Sequence, residues 1–434
     1  MIRPHIRTDI ARLQASKVLR SLGQGALLVT FALYLDELGW SATAIGGLLS
    51  LGALYQAAFS LPVGVLSDRL GRKPFVIGYE VGIVLAAALA LVSEHPAVIT
   101  IASVLGAFGR GQVGMVGPAA PAEQAWLAEL VPAPLRGQVY SYNAALGFAG
   151  TGIGSLLAGL VPLWAGVLPG PAAYRPLFLL PLVTGTANIV LLARAKANKP
   201  RRQAQSEEKR DLWAGWKGRL SPEERAIRRE ENVRILKLGA INAMNSMAVS
   251  LTSPLLSYWF AAKFGVGPGE IGPVYAVTFF ATGMASVLTG RATRRIGIVR
   301  SVVAVRLAAV LVLLVFPFVP YFWMAAILHV LRSALNRGTQ GARQALSVAL
   351  VRDERRGFAS SINSLSMGLP NSAGPAVAGA LLNAGYFSLP FYIAAGAQFL
   401  YGILFGRMFQ KYDTVPAADG QARAPGVTKA GARR

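Results

Sequence analysis

The chain has no cysteine, only three histidines and few charges: 15% of its 434 residues are Asp, Glu, Lys or Arg. Without thiols there are no disulfides and no thiolate metal sites, and His5, His95 and His329 are too scattered to form a ligand cluster, which argues against a metalloenzyme. No phosphate-binding glycine loop and no catalytic constellation is visible, so the sequence does not read as an enzyme and calls for no cofactor beyond an ion gradient. Acidic residues are the scarcest charge, 20 against 43 Lys and Arg, giving a net charge of +23. A soluble domain carries about 25% charged residues; here 53% are hydrophobic and mean hydropathy is +0.46. Membrane insertion follows.

What is present is a series of apolar runs with short polar breaks. They predict twelve spans, at about 17–36, 42–66, 74–92, 97–119, 139–163, 176–193, 236–262, 273–289, 301–319, 321–342, 358–383 and 389–407. Lys and Arg fall in alternate loops, at 1–17, 69–73, 194–237, 291–300, 337–356 and 407–434, while the intervening loops are nearly bare apart from Arg175 and Lys263. By the positive-inside rule both termini are cytoplasmic, and the basic pI reports topology rather than nucleic-acid binding. Positions 1–17 are polar and basic, so no removable leader is expected and the first helix directs insertion.

The fold class expected is an all-α membrane protein of two six-helix bundles, at 1–193 and 235–411. A cytoplasmic linker at 194–234 and a disordered tail at 412–434 complete the chain. Within the linker, Ser221-Pro222-Glu223-Glu224 has the capping serine, first-turn proline and glutamate of a helix start, which predicts a short surface helix. A gapless repeat at a shift of 220 ties the halves together. Gln124 and Ala125 fall on Gln344 and Ala345, Arg136-Gly137 on Arg356-Gly357, Asn143 on Asn363, and Gly154, Ala158 and Gly159 on Gly374, Ala378 and Gly379. Two parallel homologous halves place a substrate site near the midplane between them.

The motif GVLSDRLGRK at 64–73, in the loop after the second span, resembles the loop signature of the major facilitator superfamily at Gly64, Leu66, Asp68, Arg69, Gly71, Arg72 and Lys73. The resemblance implies a gate in which Asp68 and its basic neighbours hold the second span against the eleventh when the carrier faces outward. The equivalent loop of the second half, GRATRRIG at a shift of 226, has Arg294 where Asp68 stood, so its latch is degenerate. In the fourth span Arg110, followed four residues later by Gly114, partly resembles the family's pattern there, with Val113 in place of the usual glutamine and Gln112 beside it. The family implication is a role in proton transfer. The fifth span, GTGIGSLLAG at 150–159, resembles an exporter-associated glycine signature from which Ser155 and Ala158 depart.

In this superfamily helices one, four, seven and ten line the cavity, so the resemblance points to Arg20, Gln24, Arg110, Asn242, Asn245, Ser246, His329, Arg332 and Asn336 as substrate-site candidates. Arg20 is read either as a site residue or as a side chain snorkelling to the cytoplasmic surface. Glu80 is read either as an ion-pair partner of loop arginines or as a protonatable coupling group alongside Arg110. His329 is read as a site residue or as a satisfied imidazole, and Arg332, about 16 Å along its helix, as facing the aqueous cavity. The function expected is a proton-coupled exporter of small amphipathic compounds, monomeric, in a bacterial inner membrane; the rival is a carrier for an organic anion held by the midmembrane arginines. The topology has a direct check against a cysteine-free background. Ser93→Cys and Asn383→Cys should react with an impermeant thiol reagent applied to intact cells while Ser206→Cys should not, and labelling of position 206 from outside would sink the arrangement.

Overall fold

Apolar runs of about 20 residues bounded by Pro, Gly and Ser dictate helices, because only a helix satisfies its own backbone groups within lipid. The computed structural model describes residues 4–110, 117–132, 135–196, 221–338, 343 and 356–410; the expectations for most of the linker, 197–220, and for the tail lie outside these residues. The first half contains α1 (Pro4–Glu37), α2 (Ala42–Leu70), α3 (Arg72–Val92), α4 (Pro96–Gly106), α5 (Ala120–Leu130), α6 (Arg136–Ala158) and α7 (Pro162–Ala165). A 3-10 stretch, Gly170–Phe178, then runs into α8 (Leu179–Ala193). The second half contains α9 (Pro222–Ser250), α10 (Leu256–Phe264), α11 (Pro268–Ile296), α12 (Ile298–Val315), α13 (Phe322–Gly338), α14 (Arg356–Asn383) and α15 (Leu389–Phe409). Among the described residues there is no strand, and seven helical stretches are long and apolar enough to cross a membrane on their own. The remaining spans are interrupted or carry polar residues in their interior.

Two spans read as continuous are broken. The fourth stops at Gly106, where Ala107 turns left-handed at φ 58°, and a further helix starts at Ala120, beyond the span's expected end. Gly109 at φ 71° and Gly117 at φ 98° supply conformations that a helix cannot use. The seventh stops at Ser250 and restarts at Leu256, because Pro254 lacks a donor and disfavours helical geometry at Ser253. The linker helix differs in the other direction. Ser221 caps it by accepting from the Glu224 amide at 3.1 Å, but the helix does not end at the surface; it runs for 29 residues and becomes the first part of the seventh span.

Each half repeats the same internal packing. In the first, α1 lies against α6 and α8, and α3 against α8; in the second, α9 lies against α14, and α12 against α15. The halves meet along α2 with α14 and along α6 with α11, the pairing a two-fold relation between homologous halves requires. Glycines set these approaches. A Cβ on Gly46 would sit 2.2 Å from the Pro375 carbonyl oxygen and 3.1 Å from the Gly379 Cα, and one on Gly272 would sit 2.6 Å from the Ser155 oxygen and 2.9 Å from the Gly159 Cα. Gly46 and Gly272 are related by the shift of 226, and Gly159 and Gly379 by the shift of 220, so one contact is built twice. Small residues let the backbones meet, which is how the glycine-rich fifth and eleventh spans are used here.

The apolar core is continuous between halves only toward the end away from the chain termini, where Phe31, Tyr34 and Val161 join Trp259, Phe260, Ile271 and Phe391 in one cluster. Toward the termini the clusters are separate. Ile10, Val76, Trp126 and Leu192 belong to the first half, and Leu238, Val302, Tyr401 and Phe405 to the second. The glycine contacts make a stability prediction: Gly46→Val and Gly272→Val should each destabilise the purified protein by about 1–3 kcal/mol through overpacking. Gly47→Val, whose side chain would meet nothing within 4 Å, should melt near wild type. Tryptophan-fluorescence melting in detergent makes the comparison, and equal melting of all three would refute the interface.

Candidate functional site

A buried ion cluster joins three helices of the first half. Arg20 of α1 donates from Nε to Glu80 Oε1 of α3 at 2.6 Å, its Nη2 lies 2.5 Å from the same oxygen, and its Nη1 donates to Glu123 Oε2 of α5. Arg20 is 4% exposed, Glu80 0% and Glu123 7%. Snorkelling by Arg20 is thereby overturned, as is a partnership of Glu80 with loop arginines: in lipid the cheapest partner for a buried guanidinium is a carboxylate on a neighbouring helix. Lys17, one turn earlier on α1 and buried, lies within charge range of Glu123, so two cations and two carboxylates balance. The Tyr79 ring covers the Arg20 guanidinium at 5.8 Å. Gln24 follows Arg20 by one turn on the same face and is also buried.

Glu123 is the residue that the sequence reading missed, because the fourth span was taken to end at 119. A signal was available. Glu123, Trp126, Leu127 and Leu130 recur at helical spacing, and all four are buried on one face of α5.

Arg110 lies in the break after α4. Its guanidinium packs on α2 where Gly52 leaves room; a Cβ there would fall 2.8 Å from Cζ. Its three guanidinium nitrogens are enclosed without a hydrogen-bond partner among the described residues, and Glu80, read alongside it, binds Arg20. Gln112, Val113 and Gly114 lie outside the described residues.

The loop signature is tied to its own half. Gly71 turns the chain at φ 98°. Arg72 pairs with Asp68 at 3.1 Å and with Glu129 of α5 at 2.9 Å, and donates to the Ala125 carbonyl. Lys73 donates to the carbonyls of Ala193 and Ala195 at 2.7 and 2.8 Å, capping the end of α8 where cations are favoured. Arg69 is exposed, and the nearest neighbour of a Cβ on Gly64 is Pro121 rather than α14. Among the described residues the loop shows no ion pair or hydrogen bond to the eleventh span, whose side chains at 356–361 lie outside them. The Arg294 side chain lies outside the described residues.

In the second half Arg332 of α13 is 2% exposed, so it does not face open water here; its Nη2 donates to the Thr252 hydroxyl in the break between α9 and α10. His329 is 6% exposed, edge-on to Phe260 at 6.0 Å and tilted on Tyr275 at 5.3 Å. Asn336, one turn beyond Arg332, is half-buried. Asn242 donates to Asn363 Oδ1 at 2.7 Å and Ser246 to the Met367 carbonyl at 2.6 Å, so both hold α9 to α14, and Asn245 is buried on the same helix. Arg306, at the repeat position of Glu80, donates to Gln398 Oε1 at 3.2 Å and lies 5.2 Å over the Tyr401 ring.

The cluster around Arg20 predicts a strongly coupled set of substitutions. Arg20→Met leaves two carboxylates facing each other and should cost about 3–5 kcal/mol of stability. Combining it with Glu80→Gln leaves Lys17 facing Glu123, a neutral pair, and should recover most of the loss. Monodispersity and melting temperature in detergent report both, and an additive double variant would contradict the coupling.

Comparison with known proteins bears on what this geometry belongs to. The family model described as Major Facilitator Superfamily matches residues 15–232 and 238–432. Quinolone resistance protein NorA of Staphylococcus aureus is 24% identical over 401 residues, covering 87% of this chain and 90% of NorA. Among solved structures, a D-xylose-proton symporter superposes with a TM-score of 0.72 at 13% identity, covering 92% of this chain and 97% of its own. The human organic anion transporter MFSD10 superposes with a TM-score of 0.62 at 18% identity, covering 93% and 100%. With both halves matched, the twelve-span, two-bundle chain belongs to the major facilitator superfamily.

Proposed function

We propose that the protein is a secondary active transporter that exports small amphipathic molecules by alternating access, driven by protons. The observation that carries the coupling is the buried cluster of Arg20, Glu80 and Glu123. Glu80 and Glu123 are acids enclosed in the helix bundle, and they share one guanidinium. A proton on either carboxylate removes one of the two charges that hold Arg20, which loosens α1 from α3 or α5. Because α1 also packs on α6 and reaches α10 of the other half, its release is transmitted to the contact between halves.

The chain sits in a bacterial inner membrane with both termini cytoplasmic, acts as a monomer and needs no cofactor beyond the proton gradient. With that orientation, the shared apolar cluster closes the outer side and the separated clusters lie inside, an inward-facing state. The loop signature, tied to α5 and α8, fits the same state. Similarity to a protein named for quinolone resistance supports efflux as the direction.

The test is reconstitution in proteoliposomes with an imposed pH gradient and a panel of labelled amphipathic compounds. Wild type should accumulate at least one of them only when the gradient is present. Glu80→Gln and Glu123→Gln should retain counterflow of that compound and lose gradient-driven accumulation by about tenfold or more. Unchanged gradient dependence in both variants would overturn the assigned coupling residues.

A further inference from the structure

Arg20 of the first half has carboxylate partners; the buried arginines of the second half, like Arg110 of the first, form no ion pair among the described residues. In the second half, positions 235–410 contain only three acids, Glu270, Asp353 and Glu354. Glu270 sits exposed at the start of α11, accepting from the Gly267 amide at 3.0 Å, and the other two lie outside the described residues. Against these stand Arg306, Arg332, Arg337 and Arg343, none of which forms an ion pair among the described residues. Arg306 donates from Nη1 to Gln398 and lies over the Tyr401 ring, while its Nη2 is enclosed without a partner. Arg332 is satisfied only in part: its Nη2 reaches Thr252, while its Nε is enclosed without a partner.

Around that open donor the groups converge. His329 precedes Arg332 by three residues on one face of α13, and both of its ring nitrogens are enclosed without a hydrogen-bond partner. Its ring meets Phe260 of α10 and Tyr275 of α11. Arg337 lies within charge range of both Arg332 and His329, with its guanidinium 5.2 Å over the Phe279 ring. Phe279 in turn meets Phe148 of the first half at 6.5 Å, so the group lies against the seam between halves.

We propose that this part of the second half binds an aromatic organic acid. Its carboxylate is held by Arg332 with Arg337, and its ring lies among Phe260, Tyr275 and His329. A planar guanidinium offers paired donors that match a carboxylate. The imidazole adds one donor. Aromatic walls give a ring a face to stack on. One monoanion also supplies a counter-charge that Arg332 lacks among the described residues, which a neutral or cationic compound cannot do. The inference rests on the transporter reading for access to the site, and it concerns binding rather than flux.

The purified full-length protein in detergent is titrated with 1-naphthoate, with neutral 1-naphthamide and with chloride, followed by melting temperature and tryptophan quenching. The acid should bind saturably and raise the melting temperature, the amide should bind about tenfold or more weakly, and chloride should compete only at far higher concentration. Arg332→Lys, which keeps the charge and loses the fork, should weaken naphthoate about tenfold, and His329→Gln should weaken it by a smaller factor. Equal binding of acid and amide to the unaltered protein would overturn the proposal. So would equal protection by chloride with no further gain from naphthoate, which would make the site an inorganic-anion site, or unchanged naphthoate affinity in Arg332→Lys and His329→Gln together. Because binding is read without a gradient, loss of proton-driven transport with naphthoate binding intact would fault the coupling and leave this site standing.

Discussion

A charge enclosed in a membrane protein must be neutralised, hydrogen-bonded or wetted, and this chain meets that requirement differently in its two halves. In the first half the Arg20 guanidinium draws α1, α3 and α5 together through Glu80 and Glu123, and Lys17 completes the neutral set. Such a cluster contributes less to stability than to definition, since its desolvation cost offsets much of its attraction. What it specifies is the placement of three helices around one point.

The second constraint is backbone proximity. Gly46 against Gly379 and Gly272 against Gly159 bring the halves to backbone contact at two related places, both toward the end away from the termini. Contacts this tight act as pivots, because no side chain has to reorganise when the helices rock past each other. The apolar core follows the same geometry, continuous across the halves at that end and divided at the other. The loop signature is tied by Arg72 and Lys73 to α5 and α8.

The repeat with its shifts of 220 and 226 makes the differences between halves as informative as the likeness. Glu80 and Arg306 occupy matching positions with opposite charge, so the acid-bearing cluster has no twin. Its counterpart is a set of arginines met in part by Gln398, Thr252 and aromatic faces. Arg20 thus sits among acids, while Arg306 and Arg332 have no ion-pair partner among the described residues.

The sequence by itself determined the membrane class, the number and order of spans, the two-fold repeat, the loop signature and the Ser221 cap. Each of these is a local or periodic property: hydropathy over about 20 residues, charge alternating between loops, a capping pattern of four positions. It also marked Arg20, Glu80, Arg110, His329 and Arg332 as side chains that need an explanation, since polar groups in apolar runs are conspicuous. Only the tertiary structure decided their partners. Arg20 with Glu80 and Glu123 joins positions 60 and 103 residues apart. Arg332 with Thr252 spans 80 residues and depends on a helix break at Pro254. Pairing of this kind is fixed by how helices rotate and approach one another in three dimensions. Hydropathy and spacing constrain the face a helix turns inward, and they leave open which neighbour that face meets.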